Sequence, residues 1–440
     1  MRVRSVFCGI ILLPFLSVAC TKTVRVMSSI EPAKDYTSPA VALNRPALGA
    51  DVGLGGQPAE PLDEEAVAVV APPSWPLGEL ASFYEALDEL AQHKRQESVR
   101  VMWMGDSHTA ADFMTDVVRN ALQGAFSSGG PGFIRLGMDG YRHAQVQLTV
   151  SGKWRKAPIL PAQRTRVLDG VFGYGGVRTI PLSGASVKAR ASAKYKGTLR
   201  WTISYRLEPN AAFAVRLGTQ EQILRAAPAA QDTANKIQYQ SFEGPAEQEL
   251  VVRHVAGSPE IFGAYCETVE PGVVIDTVGI NGARAATALA WEPEQFAESV
   301  QARDVDLLVL AYGTNEVFDK TNPARYQEHL EEIVKLARSR SPELPCWVIG
   351  APDAATDDGR SRVRVAQVNE QQLLAAKNQG CAFTSAYELM GGEGSFSRWM
   401  LAKPPLARGD HIHLTIAGYQ QLGQLFANQL LGENSSEHQP

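Results

Sequence analysis

The sequence predicts a three-layer α/β/α protein built on a parallel sheet and interrupted by an all-β, sandwich-like insert. Three observations lead there. Short, largely apolar runs such as Val99–Met104, Asp304–Ala311 and Pro345–Gly350 alternate with longer segments of helical period, the pattern of strands covered on both faces. Between about 141 and 270 the chain changes character and alternates apolar with polar residues in short segments. A serine, Ser107, directly follows the first apolar run and precedes a helical segment, where an α/β protein exposes reactive groups at the carboxyl edge of its sheet.

Taken in order, residues 1–20 carry Arg2 and Arg4, an apolar run from Val6 to Leu16, and the small-residue end Ser17-Val18-Ala19-Cys20. The run is too short to span a bilayer and reads as an export signal. Its end resembles a bacterial lipobox, which implies a lipid on Cys20 and, with Thr21 following, an outer-membrane anchor facing the periplasm. Ser17 stands where leucine is usual, so simple signal cleavage is the alternative. Residues 21–75 are rich in Pro, Ala, Gly and acidic residues and are expected to form a flexible tether. The first part of the α/β domain, 76–140, should hold a helix over Leu77–His93, with Leu80, Phe83, Leu87 and Leu90 on one face. The 99–104 strand and a helix over Thr109–Phe126 follow. The loop Ser127–Gly132 lacks the Lys-Ser/Thr ending of a phosphate-binding loop and reads as a bend.

The insert, 141–270, has candidate strands at Ala144–Val150, Thr198–Leu207, Phe213–Leu217, Lys236–Phe242 and Glu249–Val255, bounded by Gly, Pro and Asn. The α/β domain resumes over 271–432. Strands are expected at Gly272–Gly279, Asp304–Ala311, Pro345–Gly350 and Ala382–Thr384, and helices at Pro323–Arg340, Arg364–Gly380 and Thr415–Leu431. The polar residues 433–440 are expected to be disordered.

At 440 residues, 45% hydrophobic and 20% charged, the chain is long for one core but apolar enough to fold over most of its length. A net charge of −5 without a basic stripe interleaved with aromatics gives no support for a nucleic-acid partner. Once Cys8 and Cys20 are assigned to signal and lipid, Cys266, Cys346 and Cys381 remain, with no Cys-x-x-Cys pair. They allow at most one disulfide, with buried thiols preferred, and neither a metal nor a cofactor is indicated.

By itself Gly105-Asp106-Ser107 is equally a capped helix start. Three later stretches at predicted strand ends or helix starts change that: Ile280-Asn281-Gly282-Ala283, Tyr312-Gly313-Thr314-Asn315-Glu316 and Asp410-His411-Ile412-His413-Leu414-Thr415. In a parallel sheet such positions gather at one edge. The four blocks, in order, resemble the SGNH (GDSL-like) hydrolases, whose three-layer fold is flavodoxin-like and whose four named residues would here be Ser107, Gly282, Asn315 and His413. The resemblance implies Ser107 as nucleophile and His413 as general base, with Asp410, three residues earlier, orienting the imidazole. The Ser107 and Gly282 N–H groups and the Asn315 amide would form the oxyanion hole. Asp106 is read as a cap. His411 could replace His413, but the family pattern Asp-x-x-His selects His413. His143, His254 and His329 are expected on the surface or in packing.

Gly105–Asp112, the Gly-Gly-Pro-Gly-Phe133 loop, Gly263-Ala-Tyr265, Pro271–Asp276 and Gly391–Trp399 are similar to the periplasmic peptidoglycan O-acetylesterases, in which the SGNH domain carries a carbohydrate-binding-like β insert. That similarity implies hydrolysis of the acetyl ester on C6 of muramic acid, with an acetylated glycan as partner. His108 and Trp399 are candidate pocket residues, His108 either lining the acyl pocket or capping the helix. The insert is expected to bind or orient glycan, although Trp154, Tyr174, Trp201 and Tyr205 are of the kind that more often fill a core. Alternatives on the same scaffold are an O-acetyltransferase, a lipase or thioesterase, and a non-catalytic glycan-binding envelope lipoprotein.

Overall fold

The computed structural model describes residues 77–158, 169–226 and 236–432. The export signal with Cys20, the tether and the tail therefore lie outside the described residues. In chain order the first strands are β1 (Val99–Gly105), β2 (Gly132–Ile134), β3 (Val146–Ser151), β4 (Trp154–Pro158), β5 (Val177–Pro181), β6 (Ser186–Ala191), β7 (Thr198–Arg206) and β8 (Ala212–Leu217). They are followed by β9 (Gln220–Arg225), β10 (Gln238–Pro245), β11 (Leu250–Ala256), β12 (Glu260–Thr268), β13 (Val273–Gly279), β14 (Leu307–Ala311), β15 (Cys346–Gly350) and β16 (Ala382–Ser385). The helices are α1 (Ala81–Ala91), α2 (Ser107–Ala110), α3 (Phe113–Phe126), α4 (Ala285–Ala288), α5 (Pro293–Arg303), α6 (Thr314–Val317), α7 (Pro323–Arg338), α8 (Val363–Gln379), α9 (Ala386–Leu389), α10 (Ser395–Leu401) and α11 (Ile416–Leu431).

Strands β13-β1-β14-β15-β16 form an all-parallel sheet in that order, with Trp103 opposite Thr277 on one side and Val309 on the other. Numbered by their own succession this is the 2-1-3-4-5 order of the flavodoxin-like folds. Alternate residues of each strand enter different cores. Val101 and Trp103 of β1, with Ile275, Val309 and Trp347, pack under α1, α3 and α11. Met102 and Met104, with Val278, Leu308, Leu310 and Val348, pack under α4, α5, α7 and α8. Both faces are covered, which is why these strands read as unbroken apolar runs.

The insert is a sandwich. One antiparallel sheet runs β10-β7-β12-β5-β4, with β2 added beside β12, and the other runs β3-β6-β11-β8-β9. Trp201, Ile203 and Ile261 of the first interdigitate with Val187, Phe213, Val215 and Leu250 of the second. A buried ion cluster joins this sandwich to the parallel sheet. Arg303 of α5 binds Asp276 of β13 at 2.7 Å and Glu267 of β12 at 2.6 Å, and Arg100 of β1 binds Glu267 at 3.0 Å. Asp276 also accepts from the Phe133 N–H (2.8 Å) and the Tyr174 hydroxyl (3.0 Å), so each charge of this cluster has a partner.

Four local expectations need correction. The helix expected over 109–126 is two helices, because Asp112 takes a left-handed conformation (φ 54°) and its buried carboxylate binds Arg119, Thr115 and Thr277. The carboxylate is drawn toward β13 and turns the chain there. Helix α5 was not expected, since only Phe296, Ala297 and Val300 mark its apolar side; Pro293 in its first turn and the Glu292 carboxylate, bonded to Gln295 N–H, start it. The strand expected from Asp304 begins at Leu307, because Asp304 is the left-handed end of α5. Finally, Cys346 and Cys381 form a disulfide, with Cα atoms 4.7 Å apart, while Cys266 is a buried free thiol. Both paired cysteines sit at the amino ends of neighbouring parallel strands, a proximity that sequence spacing does not reveal.

Candidate active site

Strand β1 ends on Gly105, where a side chain would strike Thr109 and come within 2.7 Å of the Ala311 carbonyl. Only glycine lets β1, β14 and the start of α2 close together here. Asp106 then caps α2, its Oδ1 accepting from His108 N–H at 2.9 Å, and Ser107 is the first residue of that helix. Ser107 is half-buried, and its Oγ lies 3.0 Å from Nε2 of His413. The other ring nitrogen of His413, Nδ1, lies 3.0 Å from Oδ2 of Asp410. A carboxylate can only accept, so Nδ1 carries the proton and Nε2 is left to accept from the serine hydroxyl.

The Asp410–His413 turn is held from within. Oδ1 of Asp410 accepts from the N–H groups of Ile412 (3.0 Å) and His413 (2.8 Å). Burial pushes the Asp410 carboxyl up, but these bonds and the imidazole outweigh it and hold the group below its ordinary range. His411 adopts φ 65° to make the turn, and its ring stands 3.8 Å from Asp357. It is His413, not His411, that the structure brings to Ser107. The next residues tie down at once: Thr415 caps α11 by accepting from Gly418 N–H (3.2 Å) and donates its hydroxyl to Pro405 O (2.7 Å).

Two further loops meet Ser107 at the carboxyl edge. Gly282, at φ 76°, lies after β13, and Asn315 lies in α6 after β14. The sheet order puts β1 between these two strands, at the topological switch point where ligands of open α/β sheets bind. Asn315 Nδ2 donates to Ala283 O at 2.8 Å, which spends one of its two amide hydrogens. The next residue, Glu316, accepts from Ala285 N–H at 2.8 Å, so one loop grips the other at two points. Ser107, Gly282, Asn315 and His413 line one cleft of about 620 Å³, with Phe113, Phe318 and Tyr419 on its apolar side.

Two buried carboxyls adjoin the residues of this cleft, Asp106 before Ser107 and Glu316 after Asn315. Burial raises the Asp106 carboxyl to about 6, against the opposing His108 N–H, and raises Glu316 to about 7, against the Ala285 N–H. Asp106 is the cap expected from the sequence, whereas nothing in the sequence marks Glu316 as buried. Its position beside Asn315 was the only signal of a place at the site.

His108 and Trp399 do not line the cleft. The His108 ring is 5% exposed and packs 5.5 Å from the His413 ring and 5.6 Å from Tyr419. Burial, reinforced by the neighbouring His413 ring, lowers it to about 3, so it backs the His413 ring as a neutral imidazole; its main-chain N–H is the group that Asp106 caps. Trp399 is partly buried against the α1/α3/α11 core, and its carbonyl accepts from Leu406 N–H at 2.8 Å, so it supports the loop leading to His413 from behind. In the insert, Tyr174, Trp201 and Tyr205 are core residues, and Trp154 is partly buried. His143 is buried 3.6 Å from Asp112. Among the described residues no group of three or more His, Cys, Asp or Glu side chains is placed to hold a metal ion.

A doubly covered parallel sheet with a Ser–His–Asp hydrogen-bonded series at its carboxyl edge defines the class of α/β serine hydrolases. The model of the GDSL-like lipase/acylhydrolase family matches residues 249–421, which include Gly282, Asn315, Asp410 and His413. Ser107 lies outside that match, separated from it by most of the insert. A solved structure of a peptidoglycan O-acetylesterase aligns with 80% of this chain and 95% of its own, at 25% identity and a TM-score of 0.67. A lipase/acylhydrolase from Enterococcus faecalis aligns with 37% of this chain and 76% of its own, at 17% identity and a TM-score of 0.28. No curated protein sequence matches the chain. The match over 249–421 and the likeness in fold to the O-acetylesterase support an SGNH-type (GDSL-like) hydrolase domain with esterase chemistry, interrupted by a β insert.

Proposed function

We propose that the protein is a serine esterase that removes O-acetyl groups from peptidoglycan, at C6 of muramic acid. The observation that carries the chemistry is the unbroken series from Ser107 Oγ to His413 Nε2 and from His413 Nδ1 to Asp410 Oδ2, both hydrogen bonds 3.0 Å. Likeness to the peptidoglycan O-acetylesterase over 80% of the chain, insert included, supports the substrate.

In this reading Ser107 Oγ attacks the acetyl carbonyl carbon as its proton passes to His413 Nε2. The oxyanion is received by the N–H groups of Ser107 and Gly282 and by the second amide hydrogen of Asn315. Collapse of the tetrahedral intermediate breaks the ester C–O bond, and the sugar C6 oxygen takes the proton from the imidazolium. A water molecule, deprotonated by His413, then attacks the acetyl-serine, and Ser107 leaves with the returned proton. Asp410 stabilises the imidazolium in both halves. A sugar hydroxyl in place of water would make the same site an acetyltransferase. To this reading also belong glycan binding or orientation by the insert, the periplasm as location, and a lipid anchor on Cys20. The last two rest on residues 1–20 of the sequence alone.

The test is acetate release from O-acetylated peptidoglycan, compared with acetylated xylan and acetylated chitooligosaccharide, with product analysis in the presence of a glycan acceptor. Peptidoglycan should be preferred, and Ser107→Ala should fall to background. Preference for another polymer overturns the substrate, transfer to the acceptor overturns hydrolysis, and wild-type rates in Ser107→Ala overturn the chemistry.

A further inference from the structure

Arg100, Arg119, Arg135, Arg178, Arg206 and Arg303 are the buried arginines among the described residues. Five have a carboxylate within ion-pair distance: Arg100 with Glu267, Arg119 with Asp112, Arg178 and Arg206 with Glu260, Arg303 with Asp276. Arg135 has none among the described residues. It follows β2 and is 4% exposed; its guanidinium donates to carbonyls and lies 5.7 Å from the centre of the Tyr141 ring. Nε and Nη2 donate to Gly175 O (3.2 and 2.7 Å), and Nη1 donates to Gly279 O (2.7 Å). Of five N–H bonds, two remain. A buried cation balanced only by carbonyl dipoles and a ring face is costly unless an anion completes it.

This arginine lines a pocket of about 240 Å³ together with Met138, Tyr141, Lys156, Val177 and Asn281. Asn281 also lines the cleft that contains Ser107, so the two spaces adjoin. The Gly279 carbonyl that Arg135 holds lies three residues before Gly282. At the rim Lys156 pairs with Asp139 at 2.8 Å, so the charged side chains of the pocket sum to one positive charge.

We propose that the Arg135 pocket is a carboxylate subsite of the esterase. It receives the acid carried on the C3 lactyl arm of an acetylated muramic residue while that residue's C6 ester lies at Ser107. This rests on the peptidoglycan reading above and deepens it. The lactyl arm is what distinguishes muramic acid from glucosamine, and its charge comes either from the lactyl acid itself or from the acids of a peptide attached to it. Both present a planar carboxylate to a guanidinium, a charge-assisted contact that orients as well as binds.

The experiment uses the full-length protein and two substrate pairs. One is a 6-O-acetylated N-acetylglucosaminyl-N-acetylmuramic acid and its lactyl methyl ester. The other is the same disaccharide bearing L-Ala-D-Glu, and its dimethyl ester. The acid should exceed its ester in kcat/KM by about tenfold in one pair, from the loss of one charge-assisted bond, and that pair identifies the source of the carboxylate. Arg135→Gln should bring the ratio close to one, whereas Arg135→Lys should keep part of it. Should Arg135→Gln fail to fold, the wild-type ratios decide alone. Equal rates for acid and ester in both pairs overturn the subsite while leaving the peptidoglycan reading intact. Failure to release acetate from any of the four, with p-nitrophenyl acetate still hydrolysed, overturns the peptidoglycan reading itself.

Discussion

Asp410→Asn isolates what the aspartate does for the imidazole. Its Oδ1 sits against two donors, the N–H groups of Ile412 and His413, and these stay in place in the variant. An amide will therefore put its oxygen there and its NH₂ where Oδ2 was, 3.0 Å from His413 Nδ1. That NH₂ can only donate, so Nδ1 becomes the acceptor and the ring proton moves to Nε2, which can no longer take the Ser107 proton. Asp410→Ala lacks this reversal and loses only the stabilisation of the imidazolium. A charge-assisted hydrogen bond is worth about 1.5–3 kcal/mol, or about 10- to 10²-fold in rate. The side chains of His413 and Asp410 are 34% and 45% exposed, so water can stand in for the carboxylate and the alanine variant belongs at the low end. The asparagine variant should be slower again by about tenfold or more, because the wrong tautomer must be undone first. The assay is kcat and KM for p-nitrophenyl acetate between pH 5 and 9, with thermal melts to show that both variants are folded. An Asp410→Asn enzyme as fast as Asp410→Ala, or faster, refutes the reasoning.

Glu316, raised to about 7 by burial, keeps its proton more firmly in the folded chain than in the unfolded one. Its contribution to stability is therefore complete below the ordinary glutamate range and is lost as the pH rises through about 7. Glu316→Gln keeps an acceptor for Ala285 N–H but does not titrate, so its Tm advantage over wild type should grow between pH 5 and 8. The gain is on the order of 3 kcal/mol if the whole shift is expressed, and a pH-independent difference between the two melts would count against it. Asn315→Ala should lower kcat about 10²- to 10³-fold, as loss of an oxyanion donor does, with little change in KM; a loss confined to KM would assign the amide to ground-state binding instead. The Cys346–Cys381 bond spans a sequence separation of 35 and should contribute about 3–4 kcal/mol by restricting the unfolded chain. Because it joins the amino ends of β15 and β16, away from the edge that carries Ser107, reductant should lower Tm and leave esterase activity at 25 °C unchanged. An unchanged Tm would show that the bond contributes nothing.

Much of the catalytic edge was legible because its parts are local. Gly105-Asp106-Ser107, Gly282, Asn315 and Asp410–His413 each lie at a strand end or helix start, where a few residues dictate a turn, and a parallel sheet brings such turns together. The insert was legible as β for the same reason: alternation such as that of β10 is a property of adjacent residues. The amphipathic face of α5 was too sparse to see, and the break at Asp112 depends on Thr277, a residue of β13 far along the chain.

The sequence by itself determined the fold class, the main strands and helices of the α/β domain and the residues that meet Ser107, since these follow from periodicity and from chemistry confined to short stretches. Only the tertiary structure decided that His108 backs His413 as a neutral ring, that Trp399 stands behind the site, that Glu316 clasps the loop of Gly282, that Cys346 faces Cys381, and that Arg135 is buried beside the cleft without an acid. The reason is physical. Burial and charge pairing arise from distant segments, as when Gly175 and Gly279 converge on one guanidinium, and no window of sequence contains both sides of such a contact.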